Sequence, residues 1–370
     1  MSSSTTKRFR TDHVGSLLRP PELKIARADH AAGRIDAAAL RAVEDRLIAG
    51  VIAKQESLGL PCATDGEFRR AYWHFDFLSG LDGVELYEPE QKIAFSGTVV
   101  PRALKVVGKV GWNKPVFVED FKFVHAHVKT ALAKQTIPSP TVLHFRSGRQ
   151  SIDPKIYPEL GAFFDDLGNA YAGAVGAFAA AGCRFLQLDE VDIAYLCDPR
   201  QIEMLAARGE DTEHLLATYA KLINRAVAGR PSDMTIGMHL CRGNFKSSWA
   251  ASGGYEPVAE VLFNGIDVDT YFMEWDSERA GGFEPLRFLP KGHKTVVLGI
   301  VTTKSGELES KDEMKRRIEA AAKFAPLEQL AISPQCGFAS TEEGNNITEA
   351  QQWAKLQLCL DVAREVWGGV

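Results

Sequence analysis

Residues 235–241 read TIGMHLC, and the chain continues RGNF to residue 245. Seven residues, mostly apolar and closing on His-x-Cys, are too few for a helix and suit a buried strand. Side chains at i and i+2 of a strand share a face, so His239 and Cys241 point one way and Leu240 the other. Seven further stretches have the same character: RTDHVGS (10–16), LPCATDG (60–66), SPTVLHF (139–145), RFLQLDE (184–190), DVDTYFME (267–274), TVVLGIVT (295–302) and LAISPQC (330–336). Helical patterns at 36–58, 159–182, 209–229, 309–324 and 344–367 lie between them. Strand and helix in alternation signal βαβ units. Eight strands predict an α/β fold of the (β/α)₈ barrel type, a single catalytic domain over 1–370, with a doubly wound sheet as the alternative. Residues from about 80 to 135 break the alternation. KIAFSGTVVPRALKVVGKVGW (92–112) predicts a hairpin or two, and 115–134 a helix, as an insertion after the second strand.

Composition narrows the function. Of the 370 residues, 45% are hydrophobic and 25% charged, as in ordinary globular proteins rather than disordered chains. A formal net charge of −5 with no basic run offers no footprint for nucleic acid, so the expected partner is a small molecule. No segment has the length of apolar sequence that a membrane span needs, and the first residues lack a signal-peptide core. The expected location is cytoplasmic. Six cysteines (62, 183, 197, 241, 336 and 359) in so long a chain are not a disulfide framework. Nothing in the sequence fixes an oligomeric state.

In a barrel, chemistry is carried at the C-terminal ends of the strands. Those ends hold His13-Val14-Gly15-Ser16, Asp65-Gly66-Glu67, Asp189-Glu190, His239 with Cys241, Glu274, Thr302 to Lys304, and Cys336-Gly337. Imidazole, thiolate and carboxylate in one set suit Zn²⁺, so His239, Cys241, Glu274 and Cys336 are the candidate metal ligands. A Gly-Ser backbone at such a mouth can bind a carboxylate through N–H groups. Glu67 can take an ammonium, or pair with Arg69 or Arg70. Asp189 and Glu190 also read as rim hydrogen bonding or a helix N-cap.

Other residues point to structure. His125 and His127 stand two apart on a helix and face apart. Cys62, Cys183, Cys197 and Cys359 lie in apolar contexts that suit packing. Trp73, His74, Phe75 and Phe77 form an aromatic knot, read as loop packing or as a lid over a flat ligand. No dinucleotide fingerprint, Walker loop or nucleophile elbow is present.

Taken in order, HVGSLLRP (13–20), TDGEFRR (64–70), QLDE (187–190), HLC (239–241), MEW (273–275) and SPQCGF (333–338) resemble the catalytic barrel of cobalamin-independent methionine synthase, most closely its short single-barrel members. The resemblance spans about 10 to 368. It implies a zinc-dependent methyltransferase of methionine biosynthesis, in which homocysteine, bound as thiolate, takes the methyl group of a methyltetrahydrofolate. It assigns the zinc to His239, Cys241, Glu274 and Cys336, the amino-acid carboxylate to Val14-Gly15-Ser16, and the ammonium to Glu67 and Asp189. Two departures concern the methyl donor. The long members carry an additional N-terminal barrel for which this chain has no room. Where they place a histidine that protonates the folate, this chain has Lys304-Ser305, which makes Lys304 a candidate for that end of the reaction. Two other expectations stay open: transfer of a different electrophile to a thiol, as in epoxyalkane:coenzyme M transferases, and a metal-free barrel like uroporphyrinogen decarboxylase.

Overall fold

The structure is a computed structural model that describes residues 9–370 except 89–92, 96–97, 101 and 147, with the backbone alone for 93–95 and 98–100. Its strands are β1 (Cys62–Ala63), β2 (Asp82–Tyr87), β3 (Ile93–Phe95), β4 (Thr98–Val100), β5 (Ala103–Gly111), β6 (Leu132–Ala133), β7 (Gln135–Pro138), β8 (Phe185–Glu190), β9 (Thr235–Leu240), β10 (Thr270–Glu274), β11 (Thr295–Val301) and β12 (Leu330–Pro334). Strands β7 to β12 form one parallel sheet in chain order. Beyond its β7 edge, β1 pairs in parallel with β6, the short strand just before β7. Beyond its β12 edge, Thr11 forms a parallel bridge with Ile332. The first segment also reaches the second, with Leu17 N donating to Gly66 O (3.0 Å) and Thr64 Oγ1 to Gly15 O (2.7 Å).

The helices cross from strand to strand as the sequence predicts, with ends set by local chemistry. Helix Ala37–Leu58 starts where Asp36 accepts from Ala39 N and stops at left-handed Gly59. Helix Glu349–Trp367 opens on a Thr348/Gln351 capping box. Leu160–Ala180, Leu215–Val227 and Lys311–Ala321 lie inside their expected ranges. Among the described residues, no helix is long and apolar enough to cross a membrane.

Three expectations need correction. The third strand is not 139–145: residues Val142–Phe145 form a helical turn, and the strand lies earlier, at β6 and β7. Pro140 cannot donate to a sheet but suits the start of a turn, while Lys134, Gln135 and Thr136 hide a buried strand behind polar side chains. The first strand, 10–16, is reduced to the Thr11 bridge. In the stretch after β1, β2 and β5 pair antiparallel, β3 pairs with β4, and the helix is Val118–His127, shorter than the expected 115–134. Parts of the expected hairpin region 92–112 lie outside the described residues.

Both faces of the parallel sheet are buried. One packs against the helices in the main core. The other carries a smaller cluster of Val14, Cys62, Phe185, Phe272, Val297 and Ala331. Register puts Phe272 beside Val297 and Val297 beside Ala331, so these side chains form a layer. Gly237 leaves room for it, since a Cβ there would stand 2.9 Å from the Phe185 ring. The Lys134 ammonium enters the same layer, bonding Asp12 Oδ2 and His13 O (2.7 Å each) between the rings of Phe185 and Phe272.

Removing one member of a fully buried ion pair leaves the other charge stranded. Lys134→Ala is expected to lower unfolding free energy by about 3–5 kcal/mol in urea titrations at pH 7. A loss below about 1 kcal/mol contradicts a supporting role for this pair.

Candidate metal centre and substrate pocket

Alternation along β9 brings His239 and Cys241 to the same face at the strand's C-terminal end. Glu274 closes β10 one strand away, and Cys336 follows β12. One ligating atom from each of the four lies within 4.8 Å of every other, and all four residues are buried. Cys241 Sγ and Cys336 Sγ are 3.4 Å apart, and His239 Nε2 is 3.8 Å from Glu274 Oε1. Gly299, beside Glu274 in register, leaves space for this crossing, because a Cβ there would meet Gln335 Cα at 2.9 Å.

Neighbouring groups hold each ligand. His239 Nδ1 faces Asp189 Oδ1 at 3.4 Å, which directs Nε2 toward the other ligands. Gln335 Nε2 donates to Glu274 Oε2 (3.1 Å), with Arg242 N on Oε1 (3.3 Å) and the Arg279 guanidinium 3.5 Å from Oε2. Gly243 N donates to Cys241 Sγ (3.2 Å), and Cys336 Sγ donates to Glu274 Oε1 (2.6 Å).

Electrostatics follow from burial and neighbours. Burial disfavours charge on His239, but Asp189 and Glu274 outweigh it and raise the imidazole to about 10. Burial also works against Glu274, yet Lys304, His239 and Arg279 hold its carboxyl below the ordinary range. Contact with Cys336 lowers the Cys241 thiol, whereas burial raises that of Cys336.

An open cavity of about 730 Å³ leads to His239 and Cys241. Val14, Ser16, Glu67 and Asp189 are among its lining residues. Glu67 occupies the left-handed region (φ 60°), directly after Gly66 (φ 65°), and its N–H donates to Asp65 Oδ1 at 2.8 Å. A non-glycine residue held there carries strain that the surrounding structure must sustain. Its Oε1 accepts from Thr136 Oγ1 (3.0 Å) and lies 3.4 Å from Arg70, while Oε2 has no hydrogen-bond partner among the described residues. Gly15 (φ 141°) has no space for a side chain, since a Cβ would stand 2.6 Å from Thr136 Cγ2. Ser16 is fixed by Phe338 N on its carbonyl (2.9 Å) and Ala339 N on its hydroxyl (3.3 Å).

The structure thus brings the four candidate ligands together and puts Val14, Ser16, Glu67 and Asp189 on the adjoining wall, with Gly15 between. Glu190 is turned away, accepting from Asp192 N, Ile193 N and Thr141 Oγ1. The aromatic knot divides: Phe75 and Phe77 are core, while Trp73 and His74 line the cavity with Tyr72. A backbone bridge between Tyr72 and Thr341 pins that wall. Sequence reasoning missed Arg146, Asn244, Phe245, Ser340 and Thr341, which also line the cavity. Four of these follow the HLC and SPQCGF segments closely enough to have been inspected as loop residues. Arg146 was concealed by the misplaced third strand.

Residues 9–364 match the family described as the catalytic domain of cobalamin-independent synthase. The chain belongs to that family. It is 49% identical over 360 residues to the uncharacterized protein YxjH of Bacillus subtilis, covering 97% of this chain and 95% of that one. It is 25% identical over 329 residues to a methionine synthase of Saccharolobus solfataricus, covering 88% and 87% of the two chains. Among solved structures, a Listeria monocytogenes protein, provisionally named a vitamin-B12 independent methionine synthase, superposes with a TM-score of 0.79 at 41% identity, over 97% of this chain and 98% of that one. Family membership and metal-capable quartet agree with each other.

The Glu67 carboxyl stands at about 7: burial raises it most, Asp189 and Asp65 add to this, and Arg70 and Arg19 oppose it. The folded chain therefore holds this proton more tightly than the unfolded one, and the resulting stability fades as pH rises toward 7. Between pH 5 and 8, wild type is expected to lose about 1–3 kcal/mol relative to Glu67→Gln. Urea titrations across that range showing a constant difference contradict the shift.

Proposed function

We propose that this chain is a zinc-dependent methyltransferase that methylates the sulfur of homocysteine to form methionine. The observation that carries the reading is the buried His239, Cys241, Glu274 and Cys336 quartet opening onto a wall that bears Glu67 and Asp189. We further infer that residues 1–370 form one catalytic (β/α)₈ barrel with an insertion at about 80–135. The contacts of the 11–17 segment with β12 and with 64–66 support closure. Six free cysteines suit a reducing, cytoplasmic setting.

The donor set suits zinc. One imidazole, two thiols and one carboxylate are the side chains that zinc takes as ligands. His239, Cys241, Glu274 and Cys336 would hold the ion, one ligating atom of each lying within 4.8 Å of the others. Zinc held there supplies one chemistry, the conversion of a thiol that is mostly protonated at neutral pH into a thiolate.

The remaining work belongs to the chain. The carboxyl groups of Glu67 and Asp189 take the ammonium of the amino acid, and the backbone at Val14-Gly15-Ser16 takes its carboxylate. With both ends held, the sulfur is directed to the Cys241 side of the cavity, and loss of rotational freedom is settled on binding rather than during transfer. Asp189 also keeps His239 in one tautomer. The Tyr72 and Trp73 wall, pinned to the loop after β12, limits water at the mouth.

Two carboxylates on the substrate wall favour an amino-acid thiol over a sulfonate thiol, which places the epoxide-transferase reading second. The quartet weighs against a metal-free barrel. The methyl donor is a methyltetrahydrofolate or another methyl carrier.

The test supplies zinc-loaded protein with homocysteine and, in parallel, 5-methyltetrahydrofolate bearing one or three glutamates, and methylcobalamin. Methionine is expected from at least one donor. Glu67→Gln is expected to lower kcat/KM for homocysteine about 10–100-fold, chiefly through KM, with zinc content unchanged. No methionine from any donor overturns the reading.

A further inference from the structure

Arg242 directly follows Cys241 and is fully enclosed, yet no step of the reading above uses its side chain. Its main chain is fixed on two sides. The N–H donates to Glu274 Oε1 (3.3 Å), and the carbonyl accepts from Ala250 N (2.9 Å) and Ala251 N (3.1 Å), which closes the loop that carries Asn244 and Phe245 to the cavity. The side chain itself does not line that cavity. Its guanidinium lies over the Tyr255 ring, with Cζ 4.2 Å from the centroid, and Nε, Nη1 and Nη2 all lack a hydrogen-bond acceptor among the described residues.

Tyr255 joins the two strand ends that present ligands. The pairing of β9 with β10 runs only as far as Leu240 and Met273, so Cys241 and Glu274 stand one residue beyond the ladder that spaces their strands. Onward ties lead away from each other, Cys241 N to Glu190 O on β8 and Glu274 in register with Gly299 on β11. Across the gap, the Tyr255 hydroxyl accepts from Glu274 N (3.0 Å) and donates to Leu240 O (3.4 Å). The ring meets Trp275, the residue after Glu274, edge to face at 5.2 Å and 70°.

Packing alone does not account for an arginine here. A guanidinium is always charged, and enclosing it without hydrogen-bond acceptors is costly. An apolar side chain would cover the ring without that cost. What the cation adds is attraction to the ring face, strongest where water is excluded. That attraction fixes the ring, and with it the place of the hydroxyl.

We propose that Arg242 is a positioning residue of the metal centre: its guanidinium sets the Tyr255 ring, and the Tyr255 hydroxyl holds the ends of β9 and β10 at the spacing that lets Cys241 and Glu274 share one ion. The proposal rests on the zinc reading. Arg242 and Tyr255 form one brace, whose loss weakens metal capture without unfolding the chain.

The test is zinc affinity, by competition with a chromogenic chelator, for wild type, Arg242→Met, Tyr255→Phe and the double variant, with the melting temperature of each metal-free protein measured alongside. Each single variant is expected to bind zinc about 10–100-fold more weakly. The double variant is expected to lose no more than about threefold beyond the weaker single one, because both changes act through the same hydroxyl. Metal-free Arg242→Met is expected to melt within about 3 °C of wild type, since the lost attraction and the removed desolvation cost oppose each other. Co²⁺ bound to the variants in place of zinc is expected to show visible bands altered from those of wild type. Should Arg242→Met fail to fold, Arg242→Gln takes its place under the same criteria. Zinc affinity as in wild type for either single variant, multiplying losses in the double variant, or unaltered Co²⁺ bands overturn the proposal. A weaker affinity accompanied by markedly earlier melting of the metal-free arginine variant also overturns it, since the residue is then structural. A wild type that takes up no zinc overturns the underlying reading together with this one, whereas variants that match a zinc-binding wild type overturn this one alone.

Discussion

Three acidic groups, Cys241, Cys336 and Glu274, crowd against His239 within a few ångströms and away from solvent. Mutual repulsion and desolvation oppose such an arrangement unless positive charge compensates it. Much of the architecture near the strand ends answers this constraint. Gln335 and the backbone N–H groups of Arg242 and Gly243 donate into the cluster. Arg279 adds charge beside it, and Gly299 lets the backbone at Met273 and Gln335 approach closely. A metal ion is the compensation that this donor set is suited to receive.

The same constraint orders the pocket. Asp189 faces His239 from one side and the cavity from the other, so one carboxylate borders both the quartet and the pocket. Glu67 is held in a backbone conformation that favours glycine and is raised in pKa by burial, a local cost of the kind found where a group must meet a ligand. Below this level the demands are those of packing: Phe185, Phe272, Val297 and Ala331 fill the opposite part of the sheet face, and Gly237 admits their rings.

Much of this was legible in the chain. Short stretches rich in β-formers, each followed by a helical pattern, marked β8 to β12, and reading the strand ends drew together the four candidate ligands. Failure came where buried polar side chains replaced the apolar pattern. In β6 and β7, Lys134 and Gln135 are interior because Asp12 and backbone carbonyls satisfy them, which no local pattern reveals. Arg146 was lost with that strand. The segment 10–16 reads as a full strand, yet it contributes only the bridge of Thr11 to Ile332. Gln335 adjoined a proposed ligand but gave no hint that it would hold Glu274, since that pairing depends on how β10 and β12 converge.

The most direct test of the central claim is X-ray absorption at the zinc edge on wild-type protein, before and after homocysteine. The account predicts about one zinc per chain with two sulfur neighbours, and a third at ~2.3 Å when the thiol is present. Protein that holds no zinc after reconstitution, or a sulfur shell that homocysteine leaves unchanged, contradicts it.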